Sequence, residues 1–149
     1  MPTTYRIGEL AALTGRSIDA IRWYEAQGLI PGVQRDDGGR RVYDELHVGW
    51  LELMDRLRRT GMSIAEMRRY TVLVKQGRSS LAERQELLRA HRARVEDTIA
   101  DWKRALKLID GKIDFYGEWM SSGHRPQKTP SIQSAALPER LRKRPLKSA

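Results

Sequence analysis

Between Val95 and Met120 apolar side chains recur at alternating intervals of four and three residues: Val95, Ile99, Trp102, Leu106, Ile109, Ile113, Tyr116 and Met120. A helix lying on a globular core follows a period of about 3.6 and drifts off a strict heptad, so a seam held in register this long calls for a partner helix. The flanking positions hold Glu86, Arg89, Arg92, Glu96, Asp101, Lys103 and Lys107, which argues against burial on all sides. Leu81 and Leu88 extend the apolar series upstream, and Ser80 with Glu83 reads as a capping box that opens the helix. Gly111 weakens the helix by roughly 1 kcal/mol, but the seam continues past it. The spacing therefore predicts one dimerisation helix over 78–121, with Leu88, Val95, Ile99, Trp102, Leu106, Ile109, Ile113, Tyr116 and Met120 as its contact residues.

The 77 residues before it read as a small, mainly helical unit. Ile7, Leu10, Ala11 and Thr14 share one face of a helix over 7–14, Gly15 interrupts, and Ser17 caps a second helix reaching Gln27. Gly28 suits a left-handed helix end, and Pro31 forbids immediate resumption. A hairpin follows, with strands Val33–Arg35 and Arg40–Tyr43 about a turn at Asp36–Gly39. Asp44 caps a third helix to Arg59, and Ser63 with Glu66 opens a fourth that Gly77 closes. Two short helices across a three-residue turn, then a hairpin, form a winged helix-turn-helix, although helix pairs of this kind also occur in helical domains that bind nothing.

Charge and composition narrow the classes. The net charge is +9, but residues 1–76 carry only +2, residues 77–120 carry +1 and residues 121–149 carry +6, so the basic balance reports mostly the end of the chain. That end, 122–149, holds Pro126, Pro130, Pro138 and Pro145 with almost no apolar pattern, and is expected to be a disordered basic tail. It is either a solvated extension or a source of non-specific attraction to DNA. There is no cysteine, hence no disulfide, thiolate metal site or thiol switch within the chain. His47, His91 and His124 fall on separate elements without metal-ligand spacing, no nucleophile has a base partner, and no Gly-rich phosphate loop occurs. The reading is non-enzymatic, with no metal and no cofactor. No apolar run approaches the length of a membrane span or a secretion signal, which makes the cytoplasm the expected compartment and leaves no membrane partner.

On the second helix Asp19, Arg22 and Trp23 fall on the exposed face, with Tyr24 nearby. Arg22 suits a phosphate or guanine contact through its planar fork, and Tyr24 can donate to a phosphate oxygen. Arg40 and Arg41, just past the hairpin turn, present cations to the DNA backbone.

The segments YRIGELAALTGRSIDAIRWYEAQGLI at 5–30 and GGRRVYDELHVGWLELMDRLRRTGMSIAEMRRY at 38–70 closely resemble the MerR family of bacterial transcription regulators, a likeness that extends over roughly residues 1–120. Within it the chain is most similar to small regulators without a large effector domain, the branch that includes aldehyde-responsive members. The resemblance implies an antiparallel coiled coil joining a homodimer, and binding to double-stranded, palindromic promoter DNA. It further implies that bending and untwisting the DNA lets RNA polymerase engage two over-spaced elements. It assigns the turn and recognition helix to Arg16, Ser17, Ile18, Asp19, Arg22, Trp23 and Tyr24, and the wing to Arg40, Arg41 and Tyr43. Trp23 stands where the family often has tyrosine. Metal-sensing members use cysteines at the ends of the dimer helix and aldehyde-responsive ones a cysteine in the third helix. Here WLELMDRLRRTG has none, so those sensing routes are excluded.

A small-molecule effector stays open. Trp102, Phe115, Tyr116 and Trp119 are either seam packing or the walls of an effector site between subunits. An architectural or recombination-associated DNA binder, and a helical protein whose basic tail meets acidic partners, are the other classes. The long dimer helix disfavours the first of these and the wing arginines the second.

Overall fold

The computed structural model describes residues 3–130. The elements follow in the order β1 (Thr4–Tyr5), α1 (Ile7–Thr14), α2 (Ile18–Ala26), β2 (Gln34–Arg35), β3 (Arg41–Asp44), α3 (Glu45–Arg59), α4 (Ile64–Lys75), a 3₁₀ turn (Gly77–Ser80) and α5 (Leu81–Ser122). The chain divides into two compact units after Val95.

In the first unit, local signals set most element boundaries. The Ser17 hydroxyl accepts a hydrogen bond from the Ala20 amide at 3.0 Å and so starts α2. Asp44 accepts from the Leu46 and His47 amides at the head of α3, and Ser63 and Glu66 form a capping box on α4. Gly28, at φ +73°, turns the chain out of α2 in a conformation that other residues rarely adopt. Apolar residues from five elements, α1, α2, β3, α3 and α4, then meet: Leu10, Ile21, Tyr43, Leu51, Met54 and Met67 are fully buried, and Leu29 joins them from the loop after α2. Each such side chain contributes roughly 1.5–3 kcal/mol by leaving water.

Two features differ from the sequence reading. The hairpin gains a third strand, because β1 pairs antiparallel with β3 (Tyr5 opposite Tyr43) on the side away from β2. Two-residue strands carry too little pattern to be seen in a sequence. Ser80 does not cap α5: its hydroxyl donates to the Leu73 carbonyl and to Gly77 O at 3.0 Å, and Arg84 Nε donates to it at 3.0 Å. The 3₁₀ turn runs directly into α5, so no free helix start needs a cap there.

The first unit also reaches further into α5 than the expected boundary at 77. Leu87 and Leu88 pack on its core, and His91, 5% exposed, meets Thr60 Oγ1 through Nε2 at 2.7 Å. Leu88 is thus engaged within its own chain rather than offered to a seam.

In the second unit the apolar residues of α5 stand in solvent. Ile99, Leu106, Ile109, Ile113 and Tyr116 are about half exposed, Trp102 is 73% exposed and Met120 81%. Phe115 is the exception at 5%, edge-on to Tyr116 and Trp119 and under the Lys112 ammonium. Gly123, at φ +73°, ends the helix, and the chain returns so that Pro130 lies against Gly111, with Arg125 over the Trp119 ring. The first residues of the expected disordered tail thus lie back along the helix, through contacts of proline and arginine that periodicity does not register. The rest of that tail lies outside the described residues.

Candidate nucleic-acid interface

Helix α2 turns Ile21 and Tyr24 into the core and leaves Ile18, Asp19 and Arg22 outside. Arg22 is 67% exposed and only loosely paired with Asp19, at 3.7 Å, so its guanidinium is available. Trp23 lies edge-on to Tyr24, half-buried, and the Arg58 guanidinium sits 4.4 Å over its ring. A cation over an indole face is attracted by the ring quadrupole, and the contact brings the end of α3 beside the recognition helix.

Several residues expected to face DNA are held in other ways. Tyr24 and Tyr43 are core side chains, 3% and 0% exposed, because their positions alternate inward on α2 and β3. The Tyr43 hydroxyl is buried near Glu25, and burial first, then Glu25, pushes its pKa up. Arg16 is a brace rather than a free cation: it pairs with Asp55 of α3 at 3.0 Å, both side chains being mostly buried. Burial works to raise the Asp55 carboxyl, but Arg16 and then Arg59 outweigh it and hold it below its ordinary range. Arg41 donates from Nε to Glu25 at 2.6 Å, tying β3 to the recognition helix; this pair raises its pKa further and leaves its terminal nitrogens for another acceptor. Ser17 is used as the cap of α2.

The wing tip is built on Asp36. Its carboxylate accepts from the amides of Arg40 at 2.8 Å and Gly38 at 3.0 Å, and from the Arg6 guanidinium at 2.6 Å. The Arg40 amide, then Arg6, hold the carboxyl below its ordinary range. Gly39, at φ +75°, completes the turn. Arg40 leaves this turn with an exposed side chain and no acceptor among the described residues.

Sequence reasoning missed the cluster Arg56, Arg58 and Arg59 at the end of α3. Its signal is the run of arginines before Gly61 in DRLRRTG. Of the four aromatics of α5, Phe115, Tyr116 and Trp119 stand together within one chain, while Trp102 lies 13 residues before Phe115, about 20 Å along a helix. Among the described residues no group of three metal-ligating side chains occurs, and no helix is long and apolar enough to cross a membrane.

Comparison with known proteins bears on this arrangement. Residues 5–71 match the MerR HTH family regulatory protein profile, and residues 48–111 match the profile described as MerR, DNA binding. An uncharacterised HTH-type transcriptional regulator of Haemophilus influenzae is 31% identical over 136 residues, covering 91% of this chain and 96% of its own. The HTH-type transcriptional regulator AdhR of Bacillus subtilis is 36% identical over 89 residues, 60% of this chain and 64% of AdhR. The crystal structure of HiNmlR, a MerR family regulator lacking the sensor domain, bound to promoter DNA, superposes with a TM-score of 0.71 at 32% identity, covering 81% of this chain and 96% of that one. With an exposed recognition helix, an arginine-bearing wing and these relatives, the chain belongs to the MerR family of transcriptional regulators, which bind promoter DNA.

Proposed function

We propose that this regulator acts as a homodimer on a palindromic promoter, and that it bends and untwists the DNA so that RNA polymerase can engage both of its elements. The observation that carries the reading is the unbroken four-and-three stripe of α5, whose apolar side chains from Ile99 to Met120 stand in solvent in the single chain. Monomeric soluble proteins rarely expose a contiguous apolar strip of this size. A twofold pair would cover it and fix the spacing of two recognition helices against two half-sites. The DNA-reading unit comprises the elements up to α4 together with the start of α5, the length of α5 beyond Val95 is the pairing surface, and the basic residues of 122–149 add sequence-independent attraction to phosphates. Arg22 is the leading base or phosphate contact, with Arg40 at the wing tip and Arg58 beside Trp23 supplying backbone contacts. The protein works in the cytoplasm and has no catalytic role.

Footprinting on the regulated promoter, with the spacing of its two polymerase elements measured, tests this. A protected palindrome lying between over-spaced elements is expected. Protection of one asymmetric half-site would overturn the dimer and the distortion together.

A further inference from the structure

The wing is strung between two feet, Pro31 and Asp44, and both border a cavity of about 710 Å³ where α3 meets α4. Small-molecule sites run from about 300 to 1,000 Å³ with mostly apolar walls. These walls are Leu46, Trp50, Leu53, Tyr70 and Val74. Trp50 and Tyr70, which stack on each other at 5.6 Å with their planes 4° apart, give the cavity an aromatic lining, and Leu46 is 80% exposed at its mouth.

The polar groups around it are already engaged, with one exception. Asp44 caps α3, Glu45 accepts from the Tyr5 hydroxyl, and His47 accepts from the Asp44 amide through Nδ1 at 3.0 Å. Arg84 donates to Ser80 Oγ and the Gly77 carbonyl. Lys75 lines the cavity with no ion pair or hydrogen bond among the described residues. Gly49 points the same way. It lies inside α3, where glycine weakens a helix relative to alanine, yet its φ is not positive and an added Cβ would meet nothing within 4 Å. Neither strain nor close packing accounts for it, and it stands in the lining of the cavity, where a large side chain would project into the space.

We propose that this cavity is an effector site for a planar aromatic anion, such as an aryl carboxylate, with the ring against Trp50 and the carboxylate on Lys75. The aromatic lining favours a ring, and Lys75, the one cation there without a protein partner among the described residues, favours the charge. Occupancy is passed to the wing by short links. Trp50 Nε1 donates to the Leu29 carbonyl at 2.6 Å, His47 Nε2 meets the Pro31 carbonyl at 3.0 Å, and Asp44 is the last residue of β3. Pressure on Trp50 and Pro31 therefore moves the base of the wing, which carries Arg40 in its turn and Arg41 on β3. This regulatory output rests on the DNA-binding reading above, whereas ligand binding does not.

The test is calorimetric titration of the full chain with 2-naphthoate in the absence of DNA. Saturable binding of one naphthoate per chain is expected, weaker by about tenfold in Lys75→Met and lost in Gly49→Leu, whose side chain would fill the space. Gly49→Leu should melt no lower than the parent, so loss of binding cannot be laid to unfolding. Absence of naphthoate binding, or binding that both substitutions leave intact, overturns the site. A change of molar mass in Gly49→Leu also overturns it, since the cavity would then be a contact with a second copy. Affinity for sheared duplex DNA, measured with and without naphthoate, should shift, and by linkage DNA should shift naphthoate affinity by the same factor. An unchanged DNA affinity with naphthoate bound overturns the coupling to the wing while leaving both the site and the DNA-binding reading standing.

Discussion

The two units of this chain treat their apolar residues in opposite ways. The unit up to Val95 hides Leu10, Ile21, Leu29, Leu51, Met54 and Met67 completely, whereas the one after it leaves Trp102, Leu106, Ile113 and Met120 more than half exposed. A globular unit can close on itself because its elements approach from several directions, but the exposed stripe of one straight helix can be covered only by another body. The first unit therefore accounts for its own stability, whereas the second, in the homodimer proposed above, is half of a contact.

The largest effect should come from breaking that contact. Leu106→Glu places a carboxylate in the middle of the stripe, once in each copy. Each copy then loses roughly 1.5–3 kcal/mol of apolar burial and must desolvate a charge besides. The expected product is a monomer by light scattering at micromolar concentration, with the first unit still melting cooperatively and promoter affinity greatly reduced. A parent protein that is itself monomeric would erase the contrast between the units.

Next in size is the matching cut in the first unit. Leu51→Ala should cost about 2–5 kcal/mol of stability through lost transfer energy and the cavity left behind. That loss should be independent of protein concentration. Leu106→Ala should lower the melting temperature by an amount that depends on concentration, because mass action enters wherever association is coupled to folding. Identical concentration dependence for the two variants would mean that both residues serve the same interface.

The DNA side of the first unit sharpens the comparison at smaller magnitude. Arg22→Ala should weaken binding to the promoter by about 1–3 kcal/mol. Arg58→Ala should weaken specific and non-specific binding alike and flatten the salt dependence by about one counterion. Neither should alter molar mass. An Arg58→Ala protein with parental affinity and salt slope would reduce the Trp23 contact to packing.

Legibility divides along the same line. The helices are readable because their stops and starts are single-residue events, namely Gly28 in a left-handed turn and the side chains of Ser17, Asp44 and Ser63 on free amides. The heptad is readable because one face of one helix repeats. What escapes depends on residues distant in sequence. Arg16 looks like a free cation until Asp55 is found beside it, and Arg41 until Glu25 is. Tyr24 and Tyr43 look available until the core closes over them. The return of the chain after Gly123 rests on Pro130 against Gly111, a pairing without any period. Sequence thus places the recognition helix, but not which arginines remain free on its surface.

The smallest predicted effect tests how far the first unit extends into α5, and it rests on His91. This imidazole is 5% exposed, bonded at Nε2 to Thr60, and has no partner at Nδ1. Burial first, then the positive charge of Arg94, lower its pKa, while Glu66, which Arg94 binds at 2.9 Å, works in the opposite direction. A histidine whose pKa is lower folded than unfolded takes up its proton more readily when the chain unfolds. Its contribution to stability is therefore fully present above the ordinary value near 6.5 and is lost as the pH falls from there through the folded value. In His91→Gln the amide can keep the bond to Thr60 but cannot titrate. Melting temperature followed from about pH 7.5 down to about pH 5, which brackets the ordinary histidine value, should fall more steeply for the parent than for the variant. Equal slopes for the parent and His91→Gln would mean that the start of α5 opens without exposing His91 to a new environment, and would move the edge of the first unit back towards the 3₁₀ turn.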